Sequence, residues 1–144
     1  MPDHLGLPVG HDAIRAAGAT LGAGVLLALQ AGARGPTLTL HLLRYLARES
    51  ARQCGPCRFR LPAIAGYLAE IVDGRAGAPA AYARLTGRLG VIDGRGACAH
   101  PDGAVRLAAS ALHVFAEDVA LHLSGLPCRA AGGPSLFPVG RGAR

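Results

Sequence analysis

Leu38-Thr39-Leu40-His41-Leu42-Leu43-Arg44-Tyr45-Leu46-Ala47-Arg48-Glu49-Ser50-Ala51-Arg52-Gln53-Cys54-Gly55-Pro56-Cys57 is the stretch that separates a helical fold from a strand-based one. Leu38, Leu42, Tyr45, Leu46 and Glu49 recur at spacings of three and four, which puts them on one face of a helix. Pro36, just upstream, suits a first helical turn, so the spacing predicts a helix from there to about Arg52. The paired cysteines therefore come after a helix rather than a strand.

Moving outward, the same period returns after Cys57. Leu61, Ile64, Ala65, Leu68, Ile71 and Val72 form a second stripe, and Asp73-Gly74 ends it. A weaker third helix starts at Pro79 and is lined by Tyr82, Leu85 and Leu89, with Gly87 and Gly90 against it. The fourth stripe is the most regular: Val105, Ala108, Leu112, Phe115, Val119 and His122 or Leu123, with Asp102 as the expected N-cap and Gly125 and Pro127 as the stop. Four amphipathic helices with short connections predict a mainly α fold, an antiparallel four-helix bundle.

Residues 1–35 read as a short α/β remnant: a helix near His11 to Ala17, a Gly-rich turn and a strand near Val25 to Leu29. The bundle is expected over residues 36–125, with a flexible Gly/Pro-rich tail over 126–144.

Composition narrows the function. The 144 residues carry a formal charge of +6, yet all fifteen basic residues are Arg, and Lys, Asn and Trp are absent. That pattern looks like GC-rich coding bias, and three Phe with three Tyr leave few platforms for stacking bases, so nucleic acid is not an expected partner. No charge occurs between Arg15 and Arg34, but Gly18, Gly22, Gly24, Gln30 and Gly32 interrupt that segment, so no direct membrane span is expected. Four cysteines without a clear secretion signal fit a reducing compartment, the cytoplasm by default. No phosphate-binding loop, serine nucleophile motif or paired carboxylates appear, which argues against a self-contained hydrolase or transferase site.

The cysteines carry the chemistry. In an alternating bundle, Cys54 and Cys57 lie between the first two helices and Cys98 between the last two, so all three meet at one end. Three soft thiolates there look like three of the four ligands of an iron–sulfur cluster. The helix beginning behind Cys57, and Arg52, Arg58 and Arg95 alongside, would favour thiolates. Cys128 and His100 are the candidates for the fourth ligand. Sulfur suits iron, but a helix of about twenty residues would carry the chain roughly 30 Å away from Cys98 before Cys128. His100 is nearer, and Ser50 is close but a poor ligand. A solvent-held iron, a partner's ligand or a three-iron [3Fe-4S] cluster stay open.

Two other chemistries compete for the same residues. Cys54-Gly55-Pro56-Cys57 also matches a thioredoxin-like dithiol, although that fold needs a strand directly before the motif and leaves Cys98 without a role. Cys54, Cys57 and Cys98 with His100 or Cys128 would equally make a tetrahedral zinc module.

Residues from about Leu7 to Leu123 resemble the C-terminal part of the flavin- and NADH-binding subunit (the F or 51 kDa subunit) of NADH:quinone oxidoreductase and its hydrogenase and formate dehydrogenase relatives. That family's E-S-C-G-x-C-x-P-C-R is matched by Glu49, Ser50, Cys54, Pro56, Cys57 and Arg58, and its G-R-x-x-C-x-x-G-D-x-A by Gly94, Arg95, Cys98, Asp102 and Ala104. Ala17 to Gly24 is similar to the family's G-S-x-L-G-S-G segment, and Ser110, Leu112, Phe115 and Glu117 to the S-x-L-x-x-F-x-x-E of its last helix.

The resemblance implies a four-helix domain holding a [4Fe-4S] cluster that takes electrons from flavin and passes them on. The family's first cysteine falls on Ala51, and its nicotinamide and flavin domain, which would precede Met1, has no counterpart here. A separate flavin- or NADH-binding redox subunit is therefore the expected partner, with the protein cytoplasmic and peripheral to any membrane-bound complex. A degenerate homologue that only packs on another subunit is the plainer alternative.

Overall fold

The computed structural model describes residues 6–22, 29 and 32–128. The strand expected near Val25 to Leu29 and the tail beyond Cys128 fall largely outside them. Among the described residues there is no strand, and the chain is mainly helical.

Helix α1 is His11–Ala16, α2 is Gly35–Arg48, and a π-helical turn, Pro56–Arg60, runs straight into α3, Leu61–Val72. Helix α4 is Ala78–Ile92, α5 is His100–Val114 and α6 is Ala116–Leu123. Proline stands in the first turn of α2, α4 and α5, where its missing N–H costs nothing. Helix α2 packs on α3 and α5, and α4 packs on the same two helices. This is the ring of neighbours a four-helix bundle requires, with α6 closing against α3.

The core sits where the stripes meet. Leu61, Ile64, Leu68 and Ile71 of α3 are buried against Leu40 and Leu43 of α2, Leu85 and Ile92 of α4, and Ala104, Val105 and Ala108 of α5. On the α3–α4 flank, Arg84 pairs with Glu70 at 3.2 Å, and Arg84 and Arg88 lie over the Tyr67 ring.

Four local expectations need correction. Helix α2 stops at Arg48, not Arg52, and Arg52 itself turns into the left-handed region at φ 55, which ends helical propagation. The buried face of α2 is Thr39, Leu40, Leu43 and Ala47, while Tyr45 is 53% exposed. Leucine occupies more than one face of this helix, so its partners, rather than its period, choose the inward side. The last helix is not continuous. It breaks at Phe115, whose ring fills the space a side chain at Gly35 would need. Finally, Asp102 does not cap α5, whose N-cap is Ala99; its carboxylate instead accepts the backbone N–H of Gly94 at 3.0 Å.

No helix of the described residues is long and apolar enough to cross a membrane.

Candidate iron–sulfur site

The chain leaves α2 at Arg48, reverses through Ser50 to Gln53 and enters the π-helical turn, which carries Cys57 in its first residues. A π-turn widens the helix locally, and such turns recur at functional sites. Helix α4 ends at Ile92, and the loop from Asp93 to Ala99 brings Cys98 to the start of α5. The two cysteine-bearing segments thus share one end of the bundle.

Polar contacts draw them together. The backbone N–H of Ala97, one residue before Cys98, donates to the Cys54 sulfur, and the Cys54 and Cys57 side chains hydrogen-bond to each other. Ser50, buried behind the pair, hydrogen-bonds through its side chain to Cys57 and donates its hydroxyl to the Ala47 carbonyl at 2.9 Å. Cys98 is near enough that a charge on it acts on Cys57.

Two more hydrogen bonds moor the Cys98 loop. Gly94 is bonded to Asp102, and His100 Nε2 lies 2.9 Å from the Leu46 carbonyl in the last turns of α2, as its N–H donor.

The thiols differ sharply in acidity. The Ala97 amide, then the Cys57 contacts, pull the Cys54 thiol below its ordinary value of 9.0. Burial, then the hydrogen bond and charge of Cys54, then the charge of Cys98, push Cys57 up to about 11. None of the leading influences on Cys54 or Cys57 is one of the arginines expected to acidify the thiols. Arg58 lies over the Phe59 ring instead, and the acidifying group is a main-chain amide that no side-chain pattern announces.

Cys54, Cys57 and Cys98 lie at the same end of the bundle, whereas Cys128 does not join them. It is buried beside Val72, Asp73, Gly74 and His122, where they line a cavity of about 360 Å³ at the far end of α3. The twelve residues of α3 alone put roughly 18 Å of helical rise between the two ends. His122 is a buried packing residue, as its stripe position implies, and its Nε2 has no hydrogen-bond partner among the described residues.

Among the described residues no three His, Cys, Asp or Glu side chains are disposed to hold a single metal ion. Mononuclear zinc needs its sulfurs about 2.3 Å from one point. An iron–sulfur cluster instead bonds each thiolate to a different iron and accepts a wider sulfur set. The thioredoxin-like alternative is not supported by the fold, since helix α2 and not a strand precedes the Cys54–Cys57 pair.

Fold and cysteine placement together describe a small helical domain whose cysteine-bearing loops share one end. The family model for the NADH-ubiquinone oxidoreductase-F iron-sulfur binding region matches residues 37–122, and the chain belongs to that family, whose region binds a 4Fe-4S cluster. It is similar to the NADH-quinone oxidoreductase F subunit of Escherichia coli (strain K12), 33% identical over 117 residues, which are 80% of this chain and 26% of that protein. The F subunit of Buchnera aphidicola subsp. Schizaphis graminum is 32% identical over 114 residues, covering 78% and 25%. That of Streptomyces coelicolor is 28% identical over 126 residues, covering 88% and 28%. The chain thus spans about a quarter of the length of these curated relatives.

Proposed function

We propose that this chain binds an iron–sulfur cluster through Cys54, Cys57 and Cys98 and relays electrons as part of an NADH dehydrogenase-like assembly. What supports the reading is that the three cysteines share one end of the bundle, with the Ala97 amide on Cys54, the Cys54–Cys57 hydrogen bond and the influence of Cys98 on Cys57. The residues present fit the group in type, since soft thiolates are what iron–sulfur clusters take. When bound, the cluster supplies one-electron chemistry. The chain supplies the ligands, the amide facing Cys54 and the buried wall behind Cys57.

A relay needs a donor, so a separate flavin- or NADH-binding subunit is the partner, and the protein works in the cytoplasm at the periphery of a membrane-bound complex. The relatives' name as NADH-quinone oxidoreductase subunits supports a redox assembly of this kind.

Anaerobic purification with iron and sulfide supplied tests the reading. The expected product is brown, holds iron and acid-labile sulfide in stoichiometric amounts, and gives a paramagnetic resonance signal in one redox state. Protein that binds no iron under these conditions, or binds zinc in its place, refutes it.

A further inference from the structure

We propose that the protein gives its cluster three ligands only, so that the fourth iron has no protein side chain and exchanges with solution. The inference rests on the iron–sulfur reading above and concerns only the ligands that this chain's own residues can offer.

The candidates for the fourth corner named from the sequence, Cys128, His100 and Ser50, all lie among the described residues, and the place of each in the fold argues against it. The chain has four cysteines, and Cys128 is buried at the end of the bundle away from the other three. His100 already donates Nε2–H to the Leu46 carbonyl, and the polar contacts of Cys54 and Cys57 are with Ala97, Ser50 and one another, not with His100. Ser50 is near enough, but its hydroxyl is engaged with the Ala47 carbonyl and Cys57, and a hard alkoxide is a poor match for iron in a sulfide core.

Position 51 is where a fourth sulfur would be expected from spacing. It lies three residues before Cys54, as Cys54 lies three before Cys57, and a C-x-x-C-x-x-C run is a known cubane ligand pattern. Ala51 occupies it, exposed, in the irregular turn that closes with Arg52 at φ 55. The methyl group can ligate nothing, and its exposure leaves that side of the loop open to water.

The consequence is a defined reaction with a mild one-electron oxidant such as ferricyanide. A [4Fe-4S]²⁺ cluster gives one electron to ferricyanide, which becomes ferrocyanide, and releases one Fe²⁺ to leave [3Fe-4S]⁺. Charge and iron balance, and the remaining irons keep Cys54, Cys57 and Cys98. Ferrous iron and a reductant reverse it.

The test is oxidation of the reconstituted full chain with one equivalent of ferricyanide, then iron analysis and paramagnetic resonance. The expected wild-type result is loss of one iron in four, with the signal of a three-iron cluster in the oxidised state, restored to silence by Fe²⁺ and a mild thiol reductant such as dithiothreitol. Ala51→Cys, an exposed change, should keep all its iron and stay silent. Cys128→Ser and His100→Ala should behave as wild type. Wild-type protein that retains every iron overturns the inference alone, as does iron loss before oxidation confined to His100→Ala or Cys128→Ser. A wild-type chain that never takes up iron overturns it together with the reading beneath it.

Discussion

Gly96→Ala presses on the one loop that must hold Cys98 in place. A β-carbon at Gly96 would stand 2.8 Å from the carbonyl oxygen of Cys98, 2.8 Å from Cγ of Pro101 and 3.1 Å from its Cδ. Optimal contacts begin near ~3.5 Å, so the methyl intrudes by roughly 0.7 Å on two neighbours. Neither can yield alone. The Cys98 oxygen is backbone, and Pro101 is a closed ring fully buried in the first turn of α5. Relief must come from moving the Cys98 main chain, at a cost of about 1–3 kcal/mol. For a chain of this size that lowers the Tm of the metal-free protein by roughly 3–12 °C. The displacement also exceeds the tolerance of about 0.2 Å on metal–ligand distances, so iron per chain after anaerobic reconstitution falls as well. Gly94→Ala is the control: its φ of +69 makes an alanine strained by about 1–2 kcal/mol, but nothing lies within 4 Å of the added carbon to be pushed. Circular dichroism melting of the metal-free variants and iron analysis of the reconstituted ones separate the two effects. If Gly96→Ala equals wild type in both, or if Gly94→Ala loses more iron, the loop does not position Cys98 as argued.

The core and the thiols give two further outcomes. Ile64→Ala removes a side chain that is 0% exposed at the centre of α3 and should cost about 2–5 kcal/mol in chemical denaturation; a change under about 1 kcal/mol refutes the packing. In the reduced, metal-free protein, iodoacetamide should modify Cys54 first, at a pH below the ordinary 9.0, with Cys57 resisting until the pH approaches about 11, as monitored by mass spectrometry. The linkage signs are opposite. Cys54, depressed by folding, contributes stability present above pH 9.0 and lost as pH falls through its lowered value, whereas Cys57, raised, contributes stability present below 9.0 and lost as pH climbs toward about 11. Equal labelling of the two below pH 9.0 contradicts the assignment.

The parts of the fold legible from sequence are those where one period has one solution. Leu61, Ile64, Leu68 and Ile71 leave α3 a single apolar face, and it is the buried one. Helix α2 offers leucine at 38, 40, 42, 43 and 46, so its period admits neighbouring faces, and only contact with α3 and α5 selects Leu40 and Leu43. The break at Phe115 is invisible for the converse reason. The stripe from Val105 to His122 keeps helical phase across it, and the cause is a ring set against Gly35, some eighty positions earlier. That Cys54, Cys57 and Cys98 belong to one end of the bundle is readable because it needs only alternating helices and the position of each cysteine near a helix end. The Ala97 amide is not, since any residue there supplies the same N–H. Gly96 does carry a signal: a glycine two residues before a cysteine and five before a buried proline marks a close backbone approach.

The tethers around Cys98 bear on what a bound cluster has to contribute. Gly94 is held by Asp102, His100 by Leu46, and Ala97 reaches Cys54, so the loop is tied to its own helix, to α2 and to the cysteine turn. Each such bond is worth about 1 kcal/mol net, more where a carboxylate or thiolate accepts. Together they offset only part of the entropy of ordering the seven residues between α4 and α5, at about 1–2 kcal/mol each. Cys57 is itself buried in the core that aligns the helices and Cys54 packs against it, whereas Cys98 is exposed. Packing therefore orders the Cys54–Cys57 turn without metal, unlike a zinc finger, in which the metal itself supplies the folding energy. The tethers on the Cys98 loop do not pass through position 51, so an alanine there leaves them intact.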